Sequence, residues 1–228
     1  MEDDETIVLK IDLVALLGQL GELNGSETRL VFAVIRQILV IAEQPSLSDA
    51  ENGTLLDYVH VILKIAKETS STVVSNGCLK ILSAMTRRGA NARRLCAAGV
   101  HQYLKQLVCG KDPALRCKAL RCVADLCRSD EGAAAVQLAG IAPSLLVCAK
   151  SCSGPKGTDS RLHALDATAS LLLSSPDAMD LAAQPSSLAA LVSALDPESP
   201  PTLCAAARCL SILCRRDKAI RAELPRCG

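Results

Sequence analysis

The chain has almost no aromatic side chains: no Trp, one Phe and two Tyr in 228 residues. A platform for stacked bases and an aromatic cage for a cation both need more, so neither is expected. Of the residues, 50% are hydrophobic, which excludes wholesale disorder. The core must therefore be assembled from Leu, Ala, Val, Ile and Cys. Ala and Leu are strong helix formers, whereas sheets favour β-branched and aromatic residues, so helices packed closely through small side chains are expected.

The groups that carry chemistry are missing too. A zinc site needs paired Cys-x-x-Cys or His at ligand spacing, but the nearest two cysteines, Cys148 and Cys152, are four apart and have no second pair. The three histidines, His60, His101 and His163, are scattered. There is no Gly-x-Ser-x-Gly elbow. Gly154-Pro155-Lys156-Gly157-Thr158 lacks the order of a phosphate loop and has no strand before it. No catalytic residue, metal or cofactor is predicted, and the chain reads as a non-enzyme. Its twelve cysteines lie within apolar helical patterns and read as reduced, buried small hydrophobes.

Net charge is only +1, yet it is unevenly spread. Residues 1–57 carry eleven acidic and three basic side chains, whereas residues 64–128 carry three acidic and thirteen basic. Such a dipole suits an acidic partner surface, or pairing between the two ends of the chain. The start, Met1-Glu2-Asp3-Asp4-Glu5, is the opposite of a cationic leader, and residues 1–6 read as an acidic tail. The longest uncharged stretch, Gly132 to Ala149, is interrupted by Gly140 and Pro143, so no membrane span is expected. These features predict a cytoplasmic protein, and the nucleus is compatible with them.

The positive signal is repetition. Lys118-Ala119-Leu120-Arg121-Cys122-Val123-Ala124-Asp125-Leu126 recurs as Gly77 to Met85, with Leu79 and Leu120 41 apart. Further copies run from His163 to Leu171, from Ala205 to Leu213 and, upstream, from Phe32 to Leu39. Cys117, Cys122 and Cys127 reappear 87 residues later as Cys204, Cys209 and Cys214. A five-residue step turns about 500° on a helix, so the members of a triplet do not share a face. They read as packing positions rather than metal ligands.

A shorter amphipathic stretch precedes each copy, and before it comes a third, seen in Asn91 to Val100 and Gly132 to Ile141. The Gly99-Val100 and Gly140-Ile141 junctions suit a helix stop with a left-handed cap and a sharp redirection. Asp112-Pro113, Ser175-Pro176 and Asp196-Pro197 mark turns. Gln44–Gly53 and Ser151–Ser160 read as exposed loops that stretch the period. No unit of this size buries its apolar face alone, so neighbours must stack over residues 7–228 as one array. Its long-helix copies fall near 29–42, 72–86, 114–127, 160–173 and 202–214, with a partial unit over 217–228.

Three helices per unit of about 41–45 residues, the "AAGV" and "LAGI" junctions and the "KALRCVADL" helix resemble an armadillo repeat array. The resemblance implies an all-α, right-handed α-solenoid whose third helices line a groove. The two ends of the chain resemble partial units, which suits a piece of a longer array or a last helix that acts as a cap. Nuclear-import adaptors of that family hold basic peptides with a ladder of Asn and Trp. Alignment places the Asn rung on Ala84, Asp125, Ser170 and Ile212, and the Trp rung on Lys80, Arg121, Asp166 and Arg208. Neither residue is kept at any rung, which argues against a basic peptide.

Positive charge occupies three of the four Trp positions, with Arg87, Arg88, Arg116 and Arg128 nearby. The resulting expectation is a protein-interaction scaffold or adaptor whose partly basic face binds an acidic or phosphorylated segment. Two alternatives stand beside it. One is a helical-repeat RNA-binding protein, disfavoured because Tyr103 is the one stacking residue of the basic region. The other is a co-chaperone or assembly-factor fragment, since similar arrays follow tetratricopeptide repeats in such proteins. Oligomeric state is not legible in the sequence.

Overall fold

The computed structural model describes residues 13–23, 28–151, 155–216 and 218–223, and the acidic head 1–6 lies outside them. Five long helices set the frame: α2 (Thr28–Ala42), α5 (Thr72–Thr86), α8 (Pro113–Leu126), α11 (Pro155–Ser174) and α14 (Pro200–Arg216). Each follows a shorter helix: α1 (Leu13–Glu22), α4 (Val59–Glu68), α7 (Val100–Val108), α10 (Ala142–Ser151) or α13 (Pro185–Ser193). Shorter leading helices are α3 (Asp49–Asp57), α6 (Ala92–Ala97), α9 (Asp130–Leu138), α12 (Pro176–Ala183) and α15 (Lys218–Glu223). The described residues contain no strand.

The long helices pack side by side in chain order, α2 on α5, α5 on α8, α8 on α11 and α11 on α14. Each also packs on the shorter helix of its own unit. The result is an all-α solenoid in which one layer consists of long helices. Its core is aliphatic: Ile35, Ile38, Ile62, Leu79, Leu82, Leu104, Leu120 and Leu145 are almost fully enclosed. Burying each such side chain stabilises the fold by about 1.5–3 kcal/mol. Helix α11 serves two stretches of core. Ala164, Ala167 and Leu171 pack with the upstream units, while Leu165, Ala169 and Leu172 pack with the downstream ones.

Local chemistry fixes the ends. Asp112 Oδ1 accepts from the amides of Ala114 (2.8 Å) and Leu115 (3.1 Å), and Pro113 opens α8 where no amide donor is needed. Ser129 and Ser175 cap α9 and α12. Gly99 (φ 82°) and Gly140 (φ 66°) are the positive-φ residues among those described, as the two junctions predict. At the second, α9 and α10 meet at 87°. An L side chain at either position would be strained.

Three sequence expectations need correction. Gln44–Gly53 is not a loop throughout, because α3 begins at Asp49. Ser48 and Glu51 form a reciprocal capping box, and the helix then buries Leu55 and Leu56. Ser151–Ser160 is not an open loop either. The backbone is helical from Pro155, and Ser160 is buried. The cysteine triplets are not uniformly buried. Cys122, Cys127 and Cys209 are, but Cys204 is exposed and Cys117 and Cys214 are intermediate. The 500° step explains this, since three positions so rotated cannot all face one core.

Candidate interaction face

The exposed side of the long-helix layer carries most of the predicted positions. Lys80 on α5, Arg121 on α8 and Arg208 on α14 are exposed, and Asp166 on α11 is partly buried. The Asn-rung positions are less open. Ala84 is buried and offers no surface to a partner. Ser170 donates its hydroxyl to the carbonyl of Asp166 at 3.1 Å, and Ile212 is partly enclosed.

Asp125 is 6% exposed; its Oδ1 lies 3.2 Å from Arg128 Nη1, and its Oδ2 is buried without a hydrogen-bond partner. Burial pushes its carboxyl above the ordinary carboxylate range, against the opposing pull of Arg128, Arg121, Arg87 and His163. Asp125 is therefore an internal group of the array.

The predicted cationic row divides in two. In the downstream half, Arg208 Nη2 pairs with Asp166 Oδ1, so two rungs neutralise each other across neighbouring units. In the upstream half no carboxylate of the described residues lies within ion-pair distance of Lys80, Lys118 or Arg121. Arg87 sits with them, and its Nε donates to the Ser83 carbonyl at 3.4 Å. Arg88 and Arg116 point elsewhere. Arg88 donates to the Leu47 carbonyl, and Arg116 donates to Gly110 in a separate cleft beside Cys109 and Ser144.

These upstream cations line two adjoining clefts. One, of about 190 Å³, lies among Glu43, Leu79, Lys80, Ser83, Arg87, Lys118 and Arg121. The other, of about 460 Å³, runs between α2 and α5 and shares Glu43, Lys80 and Lys118 with the first. Lys118 Nζ donates to Asn76 Oδ1 at 2.6 Å. Burial, and then the charge of Lys80, hold the Lys118 ammonium below the usual lysine range.

Sequence reasoning missed Lys118 and the wall contributed by α2. The signal for Lys118 was its place three residues before Arg121, one helical turn away on the same face. Among the described residues no group of three His, Cys, Asp or Glu could hold a metal ion. No single described helix is long and apolar enough to cross a membrane.

No protein-family model matches the chain, and no curated protein matches its sequence. Solved structures do match its shape. A designed armadillo repeat protein superposes with a TM-score of 0.80 at 16% identity, covering 95% of this chain and 88% of that one. The fold is armadillo-like. Computationally designed armadillo repeat proteins for modular peptide recognition match with a TM-score of 0.81, again at 16% identity, over 95% of this chain and 88% of theirs. A third designed armadillo repeat protein, in complex with the peptide (KR)4, has a TM-score of 0.80 at 16% identity over the same shares. At such identity the likeness concerns the backbone of the array, and the side chains of the clefts are this chain's own.

Proposed function

We propose that the protein is a non-catalytic scaffold or adaptor whose long-helix face binds an acidic or phosphorylated segment of a partner protein. The observation that carries this reading is the unpaired cationic row: Lys80, Lys118, Arg121 and Arg87 meet at one cleft that holds a single carboxylate, Glu43. Arginine forks match carboxylate and phosphate oxygens, and the extended face of a solenoid offers many modest contacts without an enclosed pocket. One designed neighbour carries a (KR)4 peptide. The charge lining the clefts here favours a ligand of the opposite sign.

A nucleic-acid ligand finds less support. Tyr103, the aromatic residue of the basic region, is 3% exposed, and its hydroxyl donates to the Ala66 carbonyl at 3.4 Å. It therefore offers no face to a base.

Fluorescence anisotropy tests the reading with four labelled probes: a Glu-rich peptide, its phosphoserine counterpart, (KR)4 and an RNA oligomer, at about 0.15 M salt. The acidic probes should bind most tightly, and the paired reversal Lys80→Glu with Arg121→Glu should abolish their binding. Tighter binding of (KR)4, or RNA binding that outlasts this ionic strength, overturns it.

A further inference from the structure

The larger of the two clefts is not simply cationic. Its walls include Phe32, Leu39 and Val40 from α2 and Val73 from α5, and Phe32, Val40 and Val73 are 37%, 56% and 52% exposed. Its floor is Ile35 and Gly77, where the missing side chain lets α5 approach α2 closely. Lys80, Lys118 and Arg36 stand at its margins, with Glu43 the one acid. Exposed aliphatic and aromatic surface gathered in a depression of about 460 Å³, beside unpaired cations, is the mixed surface that recognises an amphipathic ligand. A purely electrostatic ligand would leave it wet.

We infer that this cleft takes apolar anchor residues from an acidic partner segment. The occupant is thus an amphipathic acidic segment, with apolar side chains against Phe32, Val40 and Val73 and carboxylates toward Lys80, Lys118 and Arg121. The inference rests on the acidic-segment reading and deepens it, because it fixes both the composition of the ligand and its footprint. Charge complementarity supplies the argument for the occupant. It also sets the limit, since the Asp166–Arg208 pair neutralises the row further along and the footprint ends on α8.

Two synthetic peptides of equal negative charge test this with the whole chain of residues 1–228. One places Leu and Phe between Glu residues, and the other replaces every apolar residue by Ser. The amphipathic peptide should bind at least about tenfold more tightly. Val73→Asp, with Val40→Asp as an independent second variant, should erase that advantage while the helical circular dichroism is retained. Lys118→Glu should weaken both peptides, and Arg208→Glu should leave both unchanged.

Equal affinity for the two peptides overturns the inference and leaves the acidic-segment reading standing. Binding of neither overturns both. Loss on Arg208→Glu equal to that on Lys118→Glu overturns the footprint. The acidic head of the chain is the competing occupant. If replacing Glu2, Asp3, Asp4 and Glu5 by Gln and Asn tightens peptide binding, the cleft is filled by its own chain and the partner assignment fails.

Discussion

Gly77 of α5 lies so close to Ile35 of α2 that a Cβ at Gly77 would stand 2.6 Å from Ile35 Cγ2. Ile35 is 1% exposed and branched at Cβ, so it has little freedom to swing away. Gly77→Ala would gain about 1 kcal/mol in helix propensity, but overpacking a closed contact costs about 1–3 kcal/mol. The expected result is a net loss of about 1 kcal/mol in urea unfolding, with weaker amphipathic-peptide binding as α2 and α5 are pushed apart. Ile35→Leu with Gly77→Ala, which removes the clashing Cγ2 branch at similar volume, should recover part of the stability.

The depth of this contact shows what a repeat register conveys and what it omits. The 41-residue spacing of Leu79 and Leu120, the Gly99 and Gly140 junctions and the proline-marked turns follow from local rules, and all are visible as letters. Helix α3 escaped a hydrophobic-periodicity reading because it buries little beyond Leu55 and Leu56, though its Ser48 and Glu51 cap was on view. The site was harder to see. Lys80 and Arg121 followed from alignment, but the sequence does not say that Arg208 is neutralised by a residue 42 positions away, or that Ala84 and Asp125 turn inward. The apolar wall escaped because Phe32, Val40 and Val73 look like core residues until the packing leaves them out. Pairings between units and the choice of which helical face is closed belong to tertiary structure.

Thiol reactivity should divide the cysteines sharply. Burial pushes the thiols of Cys78, Cys122 and Cys209 up to about 12 and raises that of Cys127 as well. Thiolate is the reactive form, so these four should resist alkylation in the folded protein. Cys109 and Cys204 are exposed and should react first. Iodoacetamide labelling read by mass spectrometry, with and without urea, checks this. Native labelling of Cys122 at the rate of Cys204 would contradict the packing of α8.

Asp125 should make stability depend on pH in an unusual sense. Its folded-state carboxyl is raised by burial, so the folded chain holds a proton that the unfolded chain has already released. Stability from this group is therefore present at low pH and falls as pH rises from about 3.9 through the higher folded value. Asp125→Asn should raise the melting temperature at pH 7, and the gain should shrink below about pH 4, where both carboxyls are protonated. A lower melting temperature for the variant at neutral pH would mean that the Arg128 contact outweighs burial.

The Asp166–Arg208 pair offers a way to lengthen the cationic row without adding a charge. Both side chains are partly exposed, at 34% and 54%, so breaking the pair should cost less than about 1 kcal/mol. Asp166→Asn would release Arg208 and remove a carboxylate from the same face, so the positive potential would continue from Arg121 across α11 to α14. A Glu-rich peptide long enough to span α5 to α14 should then bind several-fold more tightly than to the unaltered chain, with the difference fading as salt rises. A peptide confined to the α2–α5–α8 clefts should gain much less, because α14 lies beyond its reach. Equal gains for the two peptides would show that Asp166 acts through long-range potential rather than by masking Arg208, and the double variant with Arg208→Gln separates these effects. Under masking, the double variant returns the long peptide to its original affinity.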